Sequence, residues 1–257
     1  MREFTVTPDR YCELIFFCDP PFVREAHGLE RLPKCTLIPL LDRPLKLELH
    51  ADVRCAAIRL HAWSAGIVTP LANADTHMWS DAAALFGDKL DAIDDALRRG
   101  AWFELTPIFD RVLFQIFGNA RFGERGEDAA RTLLALPDEG LEKSSQNVAA
   151  ELGYSRRQLE RRVRSLTNRS PKTLANVARF QFARDTLWSE PEISLDRLAS
   201  AAGYADQAHL SRDFRRFAAQ SPSAFRRDCV QLKVALLATD VAFVQDDGPD
   251  DGYTKGP

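Results

Sequence analysis

Between Tyr11 and about Pro70 the apolar residues come in short runs, CELIFFCD, CTLIPLL, PLKLELH and CAAIRLHAW, punctuated by Pro33, Pro39 and Pro44. Short apolar runs bounded by breakers predict β-strands. Leu45, Leu47 and Leu49 alternate with Lys46, Glu48 and His50, the period of a half-buried strand. Past Trp79 the period lengthens to that of a helix. Leu85, Leu90, Ile93 and Leu97 form one helical segment, and Phe109, Val112, Leu113, Ile116 and Phe117 form the next. Gly100 and Gly118 stand where such helices stop. A third helix is expected from about Glu127 to Leu136, ending at the breaker Pro137-Asp138-Glu139-Gly140, which marks the expected domain boundary.

Beyond Lys143 the chain repeats itself. When VAAELGYSRRQLERRVRSLTNRSP (148–171) is set beneath LASAAGYADQAHLSRDFRRFAAQSP (198–222) with one extra residue in the second copy, the matching residues fall into line. Gly153-Tyr154 matches Gly203-Tyr204, Leu159 matches Leu210, Arg161 matches Arg212, Val163 matches Phe214, and Ser170-Pro171 matches Ser221-Pro222. Each unit reads as a short apolar-striped helix, a sharp turn at a glycine tolerant of positive φ, and a second helix. In the first unit the second helix opens with Ser155 and has Gln158 three residues on, a capping box, and turns Leu159, Val163 and Leu166 inward. In the second unit Asp206 is the expected cap, with Leu210, Phe214 and Phe217 inward. Each Ser-Pro pair starts a further helix, serine as N-cap and proline as first helical residue.

Composition alone describes an ordinary folded chain: 257 residues, 45% apolar and 28% charged, with a net charge of −3. Dividing the chain changes that picture. Residues 141–230 carry 16 Lys+Arg against 10 Asp+Glu, a balance of +6, which leaves 18 against 27, or −9, elsewhere. Fourteen of the sixteen cations are arginine, whose planar fork suits phosphate and guanine edges, so nucleic acid is the first partner implied. The candidate contact residues are Arg156, Arg157, Glu160, Arg161 and Arg164 in the first unit, and Gln207, His209, Ser211, Arg212, Arg215 and Arg216 in the second.

The paired units resemble the AraC/XylS family of bacterial transcription regulators over about Ser144 to Arg227. The resemblance is carried above all by GYADQAHLSRDFRRF (203–217) and SPSAFR (221–226). It implies a helical DNA-binding domain with two helix-turn-helix units joined by a long helix, here about Pro171 to Trp188. That helix would span roughly 25 Å, compatible with two reading helices in successive major grooves. It also places family base-contacting positions on Arg157, Glu160 and Arg161, and on Gln207, His209, Ser211 and Arg212. The family usually has glycine three residues before each Ser-Pro proline, where this chain has Asn168 and Ala219. Asn tolerates the left-handed conformation, so Ala219 is the departure that bears on turn geometry.

The amino-terminal half, through PDRYCELIF (8–16) and IRLHAWSAG (58–66), weakly resembles the sensing domain of one AraC-type subgroup. That likeness implies a small-molecule effector or a homodimer interface, with apolar segments such as Phe109–Phe117 offering surface for either. The fold class expected is α+β: a β-rich section with a helical extension, then an all-α domain. The expected divisions are a sensing or dimerisation domain over 1–138, the DNA-binding domain over 141–230, an extra helix over 231–244 and an acidic, disordered tail over 245–257. Double-stranded DNA is the expected partner, with RNA polymerase added if the protein activates. No membrane segment or leader is read in the chain, so the expected location is the cytoplasm.

Catalytic signatures are weak. Cys12, Cys18, Cys35 and Cys55 contain no C-x₂-C pair and read as buried structural thiols rather than a zinc site. His50, His61 and His77 with Glu48 form no compact ligand set. Trp63, Trp79, Trp102 and Phe109 read as core. No cofactor is implied and the protein is expected not to be an enzyme. The alternative is an enzyme, or a thiol or metal sensor, fused to a DNA-targeting module.

Overall fold

The computed structural model describes residues 2–25, 28–50, 53–64, 68, 78–118 and 145–237. The expected helix at 127–136, the breaker at 137–140 and the acidic tail lie outside these residues. The amino-terminal half contains the strands β1 (Arg2–Val6), β2 (Tyr11–Phe17), β3 (Phe22–Glu25), β4 (Gly28–Arg31), β5 (Cys35–Ile38), β6 (Leu45–Leu49), β7 (Cys55–His61) and β8 (Ser80–Asp81). They form two antiparallel sheets, in the orders β1-β6-β3-β4 and β7-β2-β5-β8. Helices α1 (Lys89–Arg99) and α2 (Leu105–Gly118) follow.

The layering explains the sequence pattern. Ile15, Phe17 and Ile38 from the second sheet meet Val23, Leu45 and Leu47 from the first. On the opposite face Leu14, Phe16 and Leu37 pack against Ile93 and Leu97 of α1 and Leu105 and Val112 of α2. β2 is therefore buried on both sides from Leu14 onward, which is why Leu14 to Cys18 is an unbroken apolar run whereas LKLEL alternates. One polar member of the alternating strand departs from expectation. Glu48 is buried, because the Arg24 side chain lies over it and pairs with its carboxylate.

The helical period held from Leu90 onward, but Leu85 belongs to a separate 3-10 turn (Ala83–Leu85), cut from α1 at Gly87, whose φ is +51°. Gly100 adopts the left-handed conformation and stops α1, as expected of a glycine there. Trp102 is 51% exposed and so is not the core residue anticipated, whereas Trp63 is buried.

The carboxy-terminal half contains α3 (Ser145–Glu151), α4 (Arg156–Thr167), α5 (Pro171–Ser189), α6 (Leu195–Ala201), α7 (Gln207–Ala218) and α8 (Pro222–Leu237). Residues 231–237, expected in a helix of their own, continue α8 without a break. One core joins the helices: Val148, Leu159, Val163, Leu174, Phe180, Leu198, Leu210, Phe214 and Phe217. Leu40 and Trp63, from the β-rich half, belong to this core too. Further bonds cross between the halves. Gln181 accepts from the Arg10 backbone N–H (2.9 Å), and Arg184 donates to the Thr7 hydroxyl (3.1 Å).

Candidate nucleic-acid interface

Local chemistry fixes α4 and α7 at their starts. The Ser155 hydroxyl accepts from the Gln158 backbone N–H (3.3 Å), and Gln158 Oε1 accepts from the Ser155 N–H (2.8 Å), which is the expected capping box. Asp206 caps α7 by accepting from the His209 N–H at 2.6 Å. Gly153 and Gly203, at φ +66° and +68°, turn the chain into these caps.

Counting from the caps, the two helices share one frame. Leu159 and Leu210 are buried at the same step, and Val163 and Phe214 are buried at the next. Asn168 and Ala219, again at one step, end the helices at φ +53° and +57°. The extra residue of the second unit is therefore Ala205, ahead of the cap. Ala219 makes the same left-handed turn as Asn168 despite its methyl group.

The opposite face carries the candidate contacts. Arg161 and Arg212 lie about 200° around the helix from Leu159 and Leu210 and are exposed, as are Arg156, Arg157, Arg164 and Arg215. Gln207 and Arg216 are exposed as well; His209 and Ser211 are half-buried. Some of these groups are already engaged. Glu160 pairs with Arg164 at 3.2 Å, the Arg216 guanidinium lies 4.7 Å from the Phe217 ring centre, and the His209 ring meets Tyr204 edge-on at 5.1 Å. Arg156, Arg157, Arg161, Arg212 and Arg215 have no acidic partner among the described residues. The frames also differ in content, since Ala208 occupies the step that Arg157 holds in α4, and Ser211 the step of Glu160.

Between α4 and α7 runs α5, capped by Ser170 with Pro171 as its first residue. Its 19 residues give a length of about 28 Å.

Asp213 was not among the candidates. It sits on the inward side of α7, buried beside Tyr204, and burial raises its carboxyl above the ordinary value, opposed by His209, Arg216 and Arg179. Burial likewise pushes up the Tyr204 hydroxyl. Sequence offered one signal for Asp213: it is an acid one residue before the inward Phe214 in an otherwise basic helix.

A second feature lies in the β-rich half. Between the sheets is a cavity of about 540 Å³, walled by Phe4 and Val6, Tyr11, Glu13, Ile15 and Phe17, Leu47 and Leu49, and Cys55, Ala57 and Arg59, with Arg184 of α5 at its edge. Arg59 is clamped by Asp9 (3.1 Å) and Glu13 (3.0 Å). Arg184 instead donates to two neutral oxygens, Thr7 Oγ1 and the Pro8 carbonyl, and its acidic partner is its chain neighbour Asp185. In the segment Phe109–Phe117, Phe109 stacks on Phe16 at 4.9 Å, while Phe114 is 78% exposed.

The remaining candidates for chemistry are dispersed. Cys12, Cys18, Cys35 and Cys229 are buried, and Cys55 is an exposed residue whose thiol is partly shielded in the cavity wall. Burial pushes the Cys35 thiol up to about 12 and raises Cys18 and Cys55, the reverse of what activates a thiolate. His50 packs on Phe22 and His61 on Trp63, while Glu48 pairs with Arg24; His77 lies outside the described residues. No helix of the described residues is long and apolar enough to cross a membrane.

Comparison with known families places this geometry. Residues 148–228 match the helix-turn-helix domain family of AraC type. The carboxy-terminal unit is an AraC-type DNA-binding domain. No match is found among curated protein sequences. Among solved structures, ToxT from Vibrio cholerae O395 superposes with a TM-score of 0.54 at 10% identity, covering 88% of this chain and 93% of that one. ToxT bound to (E)-4-(8-methylnaphthalen-1-yl)but-3-enoic acid gives 0.52 at 12%, covering 89% and 95%. Unsaturated fatty acid bound wild-type ToxT from V. cholerae strain SCE256 gives 0.50 at 13%, covering 88% and 91%. At such identities the likeness is one of fold. It extends beyond the AraC-type domain to the β-rich half, giving the α+β architecture expected.

Proposed function

We propose that this protein is a sequence-specific regulator of transcription that reads a two-part site on double-stranded DNA with α4 and α7 of a single chain. The observation that carries this reading is the shared frame of the two capped helices, which sets Arg161 and Arg212 at the same outward step at either end of a 19-residue connecting helix. Successive major grooves on one face of DNA are about 34 Å apart, a spacing that α5 and the helices at its ends are long enough to serve. In this reading Arg161 and Arg212 contact base edges, with Arg157, Gln207, His209 and Ser211 beside them. Arg156 and Arg215 contact phosphate. Glu160, through its pair with Arg164, orients that arginine in addition to facing a cytosine amino group. The protein acts in the cytoplasm as a regulator and not as an enzyme, and RNA polymerase is a partner if it activates.

Selection from random duplex DNA tests the reading. A bipartite site with halves about one helical turn apart is expected, with log affinity falling linearly in log salt by about 0.9 per phosphate neutralised. Affinity that is flat in salt, or selection yielding no consensus, would overturn it.

The cavity favours a second element, an effector. Its walls are mostly apolar, its volume suits a small molecule, and the carboxylates of the wall, Asp9 and Glu13, pair with Arg59, while Arg184 pairs with its chain neighbour Asp185. The two ToxT ligands named above are both acids with an apolar body. We infer that this cavity takes an apolar carboxylate with its head at Arg184. Oleate is expected to raise the melting temperature of the wild type and to slow maleimide reaction at Cys55, and Arg184→Ala is expected to abolish both effects. No thermal shift and no protection of Cys55 would refute the effector while leaving DNA reading intact. Self-association through the amino-terminal half remains the other route for input, tested by sedimentation.

A further inference from the structure

The two reading helices are supported differently. α7 packs on α5, α6 and α8, elements of its own domain. α4 instead rests partly on the β-rich half. The 3-10 turn Ala62–Ser64, directly after β7, packs against α4, and Trp63, 6% exposed, enters the core that holds Leu159 and Val163. The turn that ends α4 is held from the same side: Arg169, its side chain 10% exposed, donates from Nε to the Leu40 carbonyl at 3.1 Å and lies 3.9 Å from Asp42.

Trp63 is also the last member of a row of stacked groups. The His61 ring lies 4.4 Å from Trp63 at an interplanar angle of 10°. Tyr11, the cross-strand partner of His61, stacks with it at 6.2 Å and 29°. The Arg59 guanidinium sits 4.9 Å from the Tyr11 ring centre. Arg59 and Tyr11 belong to the cavity wall, so the row leads from the cavity between the sheets to the underside of α4. Stacked planar groups in contact restrict one another's orientation, so a displacement of one is passed to the next. A bidentate contact between an arginine and a guanine depends on where its helix is held.

We propose that Trp63 is a positioning residue for α4, and that the row Arg59–Tyr11–His61–Trp63 carries a change in the cavity wall to the first reading helix and not to the second. This rests on the reading that α4 and α7 each recognise one half of a DNA site. The consequence is a regulator whose two half-sites respond unequally: input from the β-rich half retunes recognition by α4, and α7 anchors the protein throughout.

The test uses the full chain and its selected site, with single-base variants in each half. Trp63→Phe keeps an aromatic plug of smaller size. His61→Ala removes the middle of the row at an exposed position, so the fold is kept even where a Trp63 variant disturbs it. Both are expected to reduce discrimination in the α4 half by about 2–10-fold, the scale of one aromatic contact, and to leave the α7 half within experimental error. In a second arm, N-ethylmaleimide is attached to Cys55, in the cavity wall but outside the row. The adduct is expected to alter discrimination in the α4 half alone, and His61→Ala is expected to suppress that effect. Equal losses in both halves, no change on breaking the row, or an adduct effect that survives His61→Ala would each overturn the proposal. A wild-type protein that fails to discriminate in either half would overturn it together with the two-helix reading, whereas intact wild-type discrimination with any of the former results overturns the proposal alone.

Discussion

Ala219 gives the most direct physical test of the second helix-turn-helix unit. It ends α7 at φ +57°, ψ +15°, a conformation in which an L-residue places its Cβ against the following carbonyl. That strain is worth about 1–2 kcal/mol. Glycine would relieve it, and would lose about 0.5–1 kcal/mol through the greater freedom of the unfolded chain. Ala219 is exposed, so its methyl contributes no burial to be lost. The net gain expected for Ala219→Gly is therefore about 0.5–1 kcal/mol, or a rise in melting temperature of roughly 1–4 °C for a chain of this size. Asn168 occupies the equivalent place at φ +53°, but its side chain tolerates this region, so Asn168→Gly should change stability by only a few tenths of a kcal/mol. Urea and thermal unfolding of the two variants measure the contrast. An unchanged or lowered stability for Ala219→Gly, or an equal gain from Asn168→Gly, would refute the strain argument.

Asp213→Asn should stabilise the protein at pH 7. Burial raises the Asp213 carboxyl in the folded state, so its charge weakens folding as pH rises past the ordinary value of 3.8; the gain should vanish when unfolding is measured below that pH. Ser155→Ala and Asp206→Ala each remove a cap and should lower stability by about 1 kcal/mol, read by urea unfolding. Arg156→Ala and Arg215→Ala should weaken binding to all sequences alike and reduce the salt slope by about one unit in a titration of affinity against salt.

What could be read from the sequence was local chemistry. The capping box at Ser155 and Gln158, the glycine turns at 153 and 203 and the Ser-Pro helix starts depend on residues within a few positions of each other, so pattern was enough to locate them. The β-runs were equally visible, but their pairing was not. CELIFFCD does not say that Ile15 and Phe17 face one sheet while Leu14 and Phe16 face helices. The cavity was hidden for the same reason, since Tyr11, Cys55, Arg59 and Arg184 meet only when strands from distant parts of the chain and α5 are brought together. Nothing near Leu40 or Trp63 marks them as members of a core formed mostly more than a hundred residues later. Arg169 read as one more cation in a basic module, although its guanidinium is spent on the Leu40 carbonyl and on Asp42. Among the candidate contacts, charge alone could not separate Arg161 and Arg212, which face solvent, from Arg216, laid against Phe217.

The central claim is that two equivalent helices read two halves of one site. Its most direct test is the affinity of Arg161→Ala and Arg212→Ala for the selected site and for single-base variants in both halves. Each substitution should cost about 1–3 kcal/mol on the selected site and relax preference only within its own half. If both variants relax the same base pairs, or both leave discrimination as it was, two helices reading successive grooves is the wrong description of this protein.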